Sequence, residues 1–104
     1  MNVNLYEFTG DPQQLLARWN DALSGFDKSD FLLHVAATTP TGLTVLDCCP
    51  SEADFQGWIN GDAWRHIRAA IGAEVTVTRL GEVQTAIARD DYVEVVQRHA
   101  HSAH

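Results

Sequence analysis

The order in which hydrophobic periodicity changes along the chain constrains the fold more than any other feature. Residues 2–8, "NVNLYEF", set Val3 and Leu5 against Tyr6 and Phe8 and stop at Gly10, as a strand bounded by a turn does. A helical stripe of Leu15, Leu16, Trp19, Ala22, Leu23 and Phe26 follows. Asp11 is placed to N-cap it, and Pro12 occupies the first helical position, where a missing N–H costs nothing. Gly25 suits the helix end, and "DKSD" at 27–30 returns the chain to the sheet. Residues 31–38 and 43–49 are two β-branched apolar runs around "TPTG", which predicts a hairpin with Pro40 and Gly42 in its turn. Ser51 then opens a second helical region, with Asp54 in the capping-box position usually held by Glu or Gln. Its stripe of Phe55, Trp58 and Ile59 is interrupted at Asn60-Gly61-Asp62 and resumes as Trp64, Ile67, Arg68 and Ile71. Val75 and Val77 begin a last strand, which continues past a bulge or kink at Gly81 through Val83, Thr85 and Ile87.

This β-α-β-β-α-β order predicts an α+β, ferredoxin-like fold: a four-stranded antiparallel sheet with helices on one face and the second helix broken near Gly61. At 104 residues the chain has room for one core. The domain is expected over residues 1–89, with 90–104 a short helix or frayed tail. One helical layer leaves the opposite sheet face bare. Neither run of the 31–49 hairpin alternates cleanly between apolar and polar, so that face too should be covered. A second copy under two-fold symmetry is the economical cover, which predicts a homodimer.

Charge narrows the partners. A formal net charge of -7, with seven basic residues scattered from Arg18 to Arg98, argues against nucleic acid. No apolar run approaches the roughly 20 residues that span a bilayer, and the start lacks the pattern of a secretory leader. The expectation is a cytoplasmic chain with no membrane partner. Cys48 and Cys49, the only cysteines, point to opposite faces of a strand, so they are expected to be reduced and structural. Neither a paired C-x-x-C metal motif nor a G-x-G-x-x-G after the first strand is present, so no metal and no cofactor is expected. His99, His101 and His104 sit in the terminal tail, where a solvated end competes with any chelating role.

Two readings of polar residues point to chemistry. A two- or four-residue turn in the hairpin places His34 directly across from Asp47, in company with Leu32, Ala36, Val45 and Cys49. An imidazole steadied by a carboxylate in apolar surroundings is a candidate general base, so His34 and Asp47 are the candidate catalytic residues. The competing reading is a pair that only satisfies itself, and a three-residue turn would separate the two altogether.

The element order, the strand-to-helix junction "TPTGLTVLDCCPSEADF" and the interrupted helix "WINGDAWRHI" together resemble the dimeric α/β-barrel superfamily, the small proteins related to antibiotic-biosynthesis monooxygenases. The resemblance covers residues 2–89 and implies two sheets closed against one another as a dimeric barrel. It also implies a pocket between sheet and helices and, in some members, cofactor-free oxygenation of an aromatic or polyketide-like molecule. In such members an Asn and a Trp four residues later help bind the substrate; Asn60 and Trp64 have that spacing, and Trp58 would line the same pocket. Helix capping by Asn60 and core packing by Trp64 compete with that assignment. The Asn, Trp and His set of the haem-degrading members is not matched. The expected function is thus a small cofactor-independent monooxygenase-like enzyme. Its rival is a non-catalytic homodimer that binds a small hydrophobic ligand or a protein.

Overall fold

The computed structural model describes residues 1–26 and 32–102, with the side chains of residues 101 and 102 outside the description. The expected return loop at 27–30, the first residue of the 31–38 run, and the side chains of His101 and His104 therefore lie outside the described residues. The elements are β1 (Asn2–Thr9), α1 (Pro12–Leu23), β2 (Leu33–Thr39), β3 (Gly42–Cys49), α2 (Glu52–Ile59), α3 (Asp62–Ile71), β4 (Val75–Glu82) and α4 (Tyr92–Ser102). The four strands form one open antiparallel sheet in the order β2-β3-β1-β4, an α+β arrangement compatible with a ferredoxin-like fold.

Local chemistry sets the element ends. The Asp11 carboxylate accepts from the Gln14 N–H at 2.9 Å, satisfying one of the orphan donors of α1. Ser51 caps α2 by accepting from the Asp54 N–H at 3.2 Å, and the Ser51 hydroxyl donates to the Asp54 carboxylate at 2.8 Å. That closes the box through side chains instead of through the capping residue's own N–H. Gly72 ends α3 with a φ of 65°, a left-handed position that suits glycine. In the hairpin, Thr39 pairs with Gly42 across a two-residue turn at Pro40 and Thr41. A Cβ on Gly42 would lie 1.9 Å from the Phe8 carbonyl oxygen, so β1 and β3 approach too closely there for any other residue.

The core lies between the sheet and helices α1 to α3. Tyr6 and Phe8 of β1 and Leu43 and Val45 of β3 meet Leu15 and Trp19 of α1 and Trp64, Ile67 and Ile71 of α3, all at 3% exposure or less. Each such side chain contributes roughly 1.5–3 kcal/mol by leaving water. Arg68, expected on the α3 stripe, is exposed. It follows Ile67 and falls outside the arc that faces the sheet.

The last strand is shorter than its hydrophobic pattern predicts. β4 ends at Glu82, which pairs with Asn2, and the Val83 N–H donates to the Met1 carbonyl at 2.9 Å. Residues 83–89 follow without regular structure, and Ile87 is 94% exposed. A register shift between Val3 and Asn4 leaves Leu80 as the extra residue on β4. α4 then stands beside the edge strand β2. An open groove of about 790 Å³ separates it from α1, with Leu16 and Leu23 on one wall and Tyr92, Val93 and Val96 on the other.

Candidate functional site

Alternation along β1 places Asn2, Asn4, Tyr6 and Phe8 on the helix-covered face and Val3 and Leu5 on the open one. The covered face consequently changes character along its length. At the Phe8 end it is apolar, with Leu43 and Val75 opposite Phe8, and Val45 and Val77 opposite Tyr6. At the other end Asp47 and Arg79 stand opposite Asn4, and Cys49 and Glu82 opposite Asn2. Asn2 and Asn4 are fully buried and Asp47 is 4% exposed. Three polar side chains under one short helix require a dense set of partners.

Asn2 has that set. Its Nδ2 donates to Glu52 at 3.0 Å, and its Oδ1 accepts from Arg79 at 2.8 Å. Arg79 in turn bridges Glu52 at 2.6 Å and Glu82 at 2.9 Å, and the amino terminus reaches Glu82 at 3.0 Å. Asn4 is served on one side only. Its Nδ2 donates to Asp47 at 3.2 Å and to the Cys49 sulfur at 3.5 Å, while its Oδ1 has no hydrogen-bond partner among the described residues. The hydroxyl of Tyr6 is likewise buried without a well-aligned partner, although Asp47 and Trp58 stand close enough to shift its titration. Leaving a buried polar atom unmatched costs about 1–3 kcal/mol.

Electrostatics follow from this burial. Desolvation raises the Asp47 carboxyl above its ordinary value, with the Asn4 hydrogen bond and the neighbouring Tyr6 hydroxyl pulling partly the other way. Burial, reinforced by the nearby Asp47 charge, drives the Tyr6 phenol far above its usual range. The Cys49 thiol is pushed up to about 11, by burial first and then by Asp47, and burial raises Cys48 as well. Both thiols stay protonated at neutral pH and are poor nucleophiles.

The residues singled out from sequence separate into three places. The two-residue turn does set His34 opposite Asp47. Yet the His34 Nε2 accepts from the Trp19 indole at 3.1 Å, with the rings 8° from parallel, and burial lowers its titration. That bond commits the imidazole lone pair and keeps the ring neutral. Trp58 and Trp64 pack at 6.1 Å, and Trp64 lies 5.1 Å from Tyr6, so both tryptophans wall the Asp47 end of the core. Asn60 stands apart from them. It is exposed, and its Nδ2 donates to the Gln56 carbonyl at 2.9 Å, closing the end of α2. Sequence reasoning missed Asn2 and Asn4. Their signal was the spacing Asn2, Asn4, Tyr6, Phe8, which shares a face with the most buried aromatics.

Among the described residues, no three His, Cys, Asp or Glu side chains converge as metal ligands would, and no helix is long and apolar enough to cross a membrane. No protein-family model matches the chain, and no curated protein matches it.

Proposed function

We propose that the Asp47 end of the covered sheet face is the site of a homodimeric, cytoplasmic small-molecule enzyme. It acts on an aromatic or polyketide-like molecule without a cofactor, in the manner of the monooxygenase-like dimeric barrels that the element order resembles. The observation that carries this reading is the buried group of Asn4, Tyr6 and Asp47, with two of its polar atoms unmatched, against the aromatic wall of Trp58 and Trp64. Buried polar atoms left open in an otherwise satisfied interior suit a ligand that completes them.

In this reading Asp47 takes the substrate proton. Burial makes it a stronger base than an ordinary carboxylate, and Asn4 holds it in place. Tyr6 donates toward the substrate or Asp47, and the tryptophans exclude water. His34 is a positioning residue, with its Nε2 engaged by Trp19. Dimerisation is supported by the bare face, where Val3, Leu5, Val35 and Leu46 are only half-buried and Leu33 and Leu80 are exposed. Sedimentation of a particle of twice the 11.5 kDa chain mass is the expected result, and a lone folded chain would remove that part of the reading.

The site is tested by a thermal-shift screen with small aromatic molecules on the wild type and on Tyr6→Phe and Asp47→Asn. Ligands that stabilise the wild type and lose their effect in Tyr6→Phe support the site; a screen without any such ligand ends it. A second reading, a dimer that binds without turnover, is favoured by the engaged His34 nitrogen and the outward Asn60. It predicts that Asp47→Asn changes binding but that no ligand of the wild type is ever consumed.

A further inference from the structure

The hydrogen-bond inventory of Asn4 is one-sided. Both N–H groups of Asn4 are directed within the cluster, to Asp47 at 3.2 Å and to Cys49 at 3.5 Å. The Tyr6 hydroxyl lies next to Asp47, and the Trp58 indole N–H lies next to Tyr6. The Asn4 donors are thus spent within the cluster while its acceptor, Oδ1, is left open, and the Tyr6 hydroxyl, without a well-aligned partner, can donate to Asp47 and accept from a ligand. The amide orientation is fixed by chemistry, because a flipped Asn4 would set its oxygen against the Asp47 carboxylate.

Charge points the same way. Arg79, opposite Asn4 on β4, is already bracketed by Glu52 and Glu82, so it has no charge to spare for an incoming anion. Asp54 adds negative charge from the first turn of α2. Aromatic rings stand beside the cluster, Tyr6 and Trp64 with centroids 5.1 Å apart and Trp58 and Trp64 6.1 Å apart, and ring faces attract cations.

We infer that the head group received at Asn4, Tyr6 and Asp47 is a protonated amine carried on an aromatic body. This rests on the reading of the Asp47 end as a ligand site and names the ligand that fits it. The ammonium donates to the Asn4 Oδ1 and the Asp47 carboxylate, and the ring of the ligand lies against Trp58 and Trp64. A carboxylate head would face Asp47 and be rejected, while an alcohol head satisfies one acceptor and leaves the charge of Asp47 unpaired.

The test uses the full chain and three probes of one shape: 2-phenylethylamine, 2-phenylethanol and phenylacetate. Affinity is read by calorimetry, and location by the NMR shift of the Trp58 indole N–H. The amine should bind roughly tenfold or more tighter than the alcohol, as expected of one charge-assisted bond, and phenylacetate should not bind. In Asp47→Asn, which keeps the shape of the side chain, the amine's advantage should fall to about twofold or less, a loss of most of that one bond. Tyr6→Phe, which is expected to fold, should weaken the amine less than Asp47→Asn does. Equal binding of amine and alcohol at Trp58, unchanged by Asp47→Asn, overturns the amine and leaves the site standing. Failure of all three probes to move the Trp58 signal overturns both.

Discussion

One sheet face carries two different halves, and they obey different rules. Around Phe8, Leu43, Val45, Val75 and Val77 the strands meet Leu15, Trp19, Ile67 and Ile71 in a packed apolar layer whose worth lies in area removed from water. Four residues before Phe8 on β1, the same face turns to Asn4, Asp47 and Asn2, which gain nothing by leaving water unless every polar atom finds a partner. Asn2 finds all of its partners and Asn4 does not. The apolar half holds the fold together, and the polar half draws on that stability to keep unmatched groups buried. Strain of this kind is the usual mark of a site.

The largest effect belongs to the apolar half. Ile67→Ala, at a fully buried position, should lower unfolding stability by about 2–5 kcal/mol in urea titration. A loss well below that range would mean the two halves are not divided as described. The polar half should respond with the opposite sign. Tyr6→Phe removes a buried hydroxyl that lacks a well-aligned partner while keeping the ring against Trp64. Stability should stay level or rise by up to about 1 kcal/mol, while binding of an aromatic ligand weakens. A clear loss of stability in Tyr6→Phe would show that the hydroxyl is structural and would break the contrast.

The same division explains what the sequence could disclose. The helices were legible because stripes such as Leu15, Trp19, Leu23 and Trp64, Ile67, Ile71 have one period and one purpose. The hairpin register was legible as soon as the turn was taken as two residues, which is how His34 came to stand opposite Asp47. The end of β4 was not legible, because the alternation of Val83, Thr85 and Ile87 runs on past Glu82, the last β4 residue paired with β1. Nor was the facing of β1: Val3 and Leu5 form as good an apolar row as Tyr6 and Phe8, and only the helices decide which row is covered. Choosing the aromatic row commits Asn2 and Asn4 to the interior, so the polar half is a consequence of packing that no local pattern announces. Asn60 shows the reverse case, a spacing that resembles a binding pair but serves to close α2.

Acid titration separates the halves again, with a smaller effect. Asp47 is held above its ordinary 3.8 by burial, so the folded chain keeps that proton longer than the unfolded chain does. The stability this provides is complete below 3.8 and is lost as pH rises through the folded value. His34, lowered from 6.5 by burial beside Trp19, acts in the opposite sense: its contribution is complete above 6.5 and is lost as pH falls through the folded value. Asp47→Asn should therefore remove a downward slope that begins just above pH 3.8, and His34→Gln an upward slope that ends at 6.5. The measurement is the urea midpoint at closely spaced pH. If Asp47→Asn leaves the curve unchanged, the carboxyl is not desolvated and the basis for its role as a proton acceptor is gone.

The smallest effect is expected at the rim of the polar half. Glu82 pairs with Arg79 and with the amino terminus at an exposed position, where salt screens the attraction and side-chain freedom offsets it. Glu82→Gln should shift the urea midpoint only slightly at low ionic strength and not at all near 1 M salt, where screening is nearly complete. Arg79→Ala differs in kind, since it also strips the Oδ1 of the fully buried Asn2 of its donor. That loss is a buried hydrogen bond and not a screened charge pair, so it should persist in high salt. If the Arg79→Ala deficit vanishes with salt as the Glu82→Gln one does, Asn2 is reached by water, and the boundary between rim and interior lies one residue deeper, at Asn4.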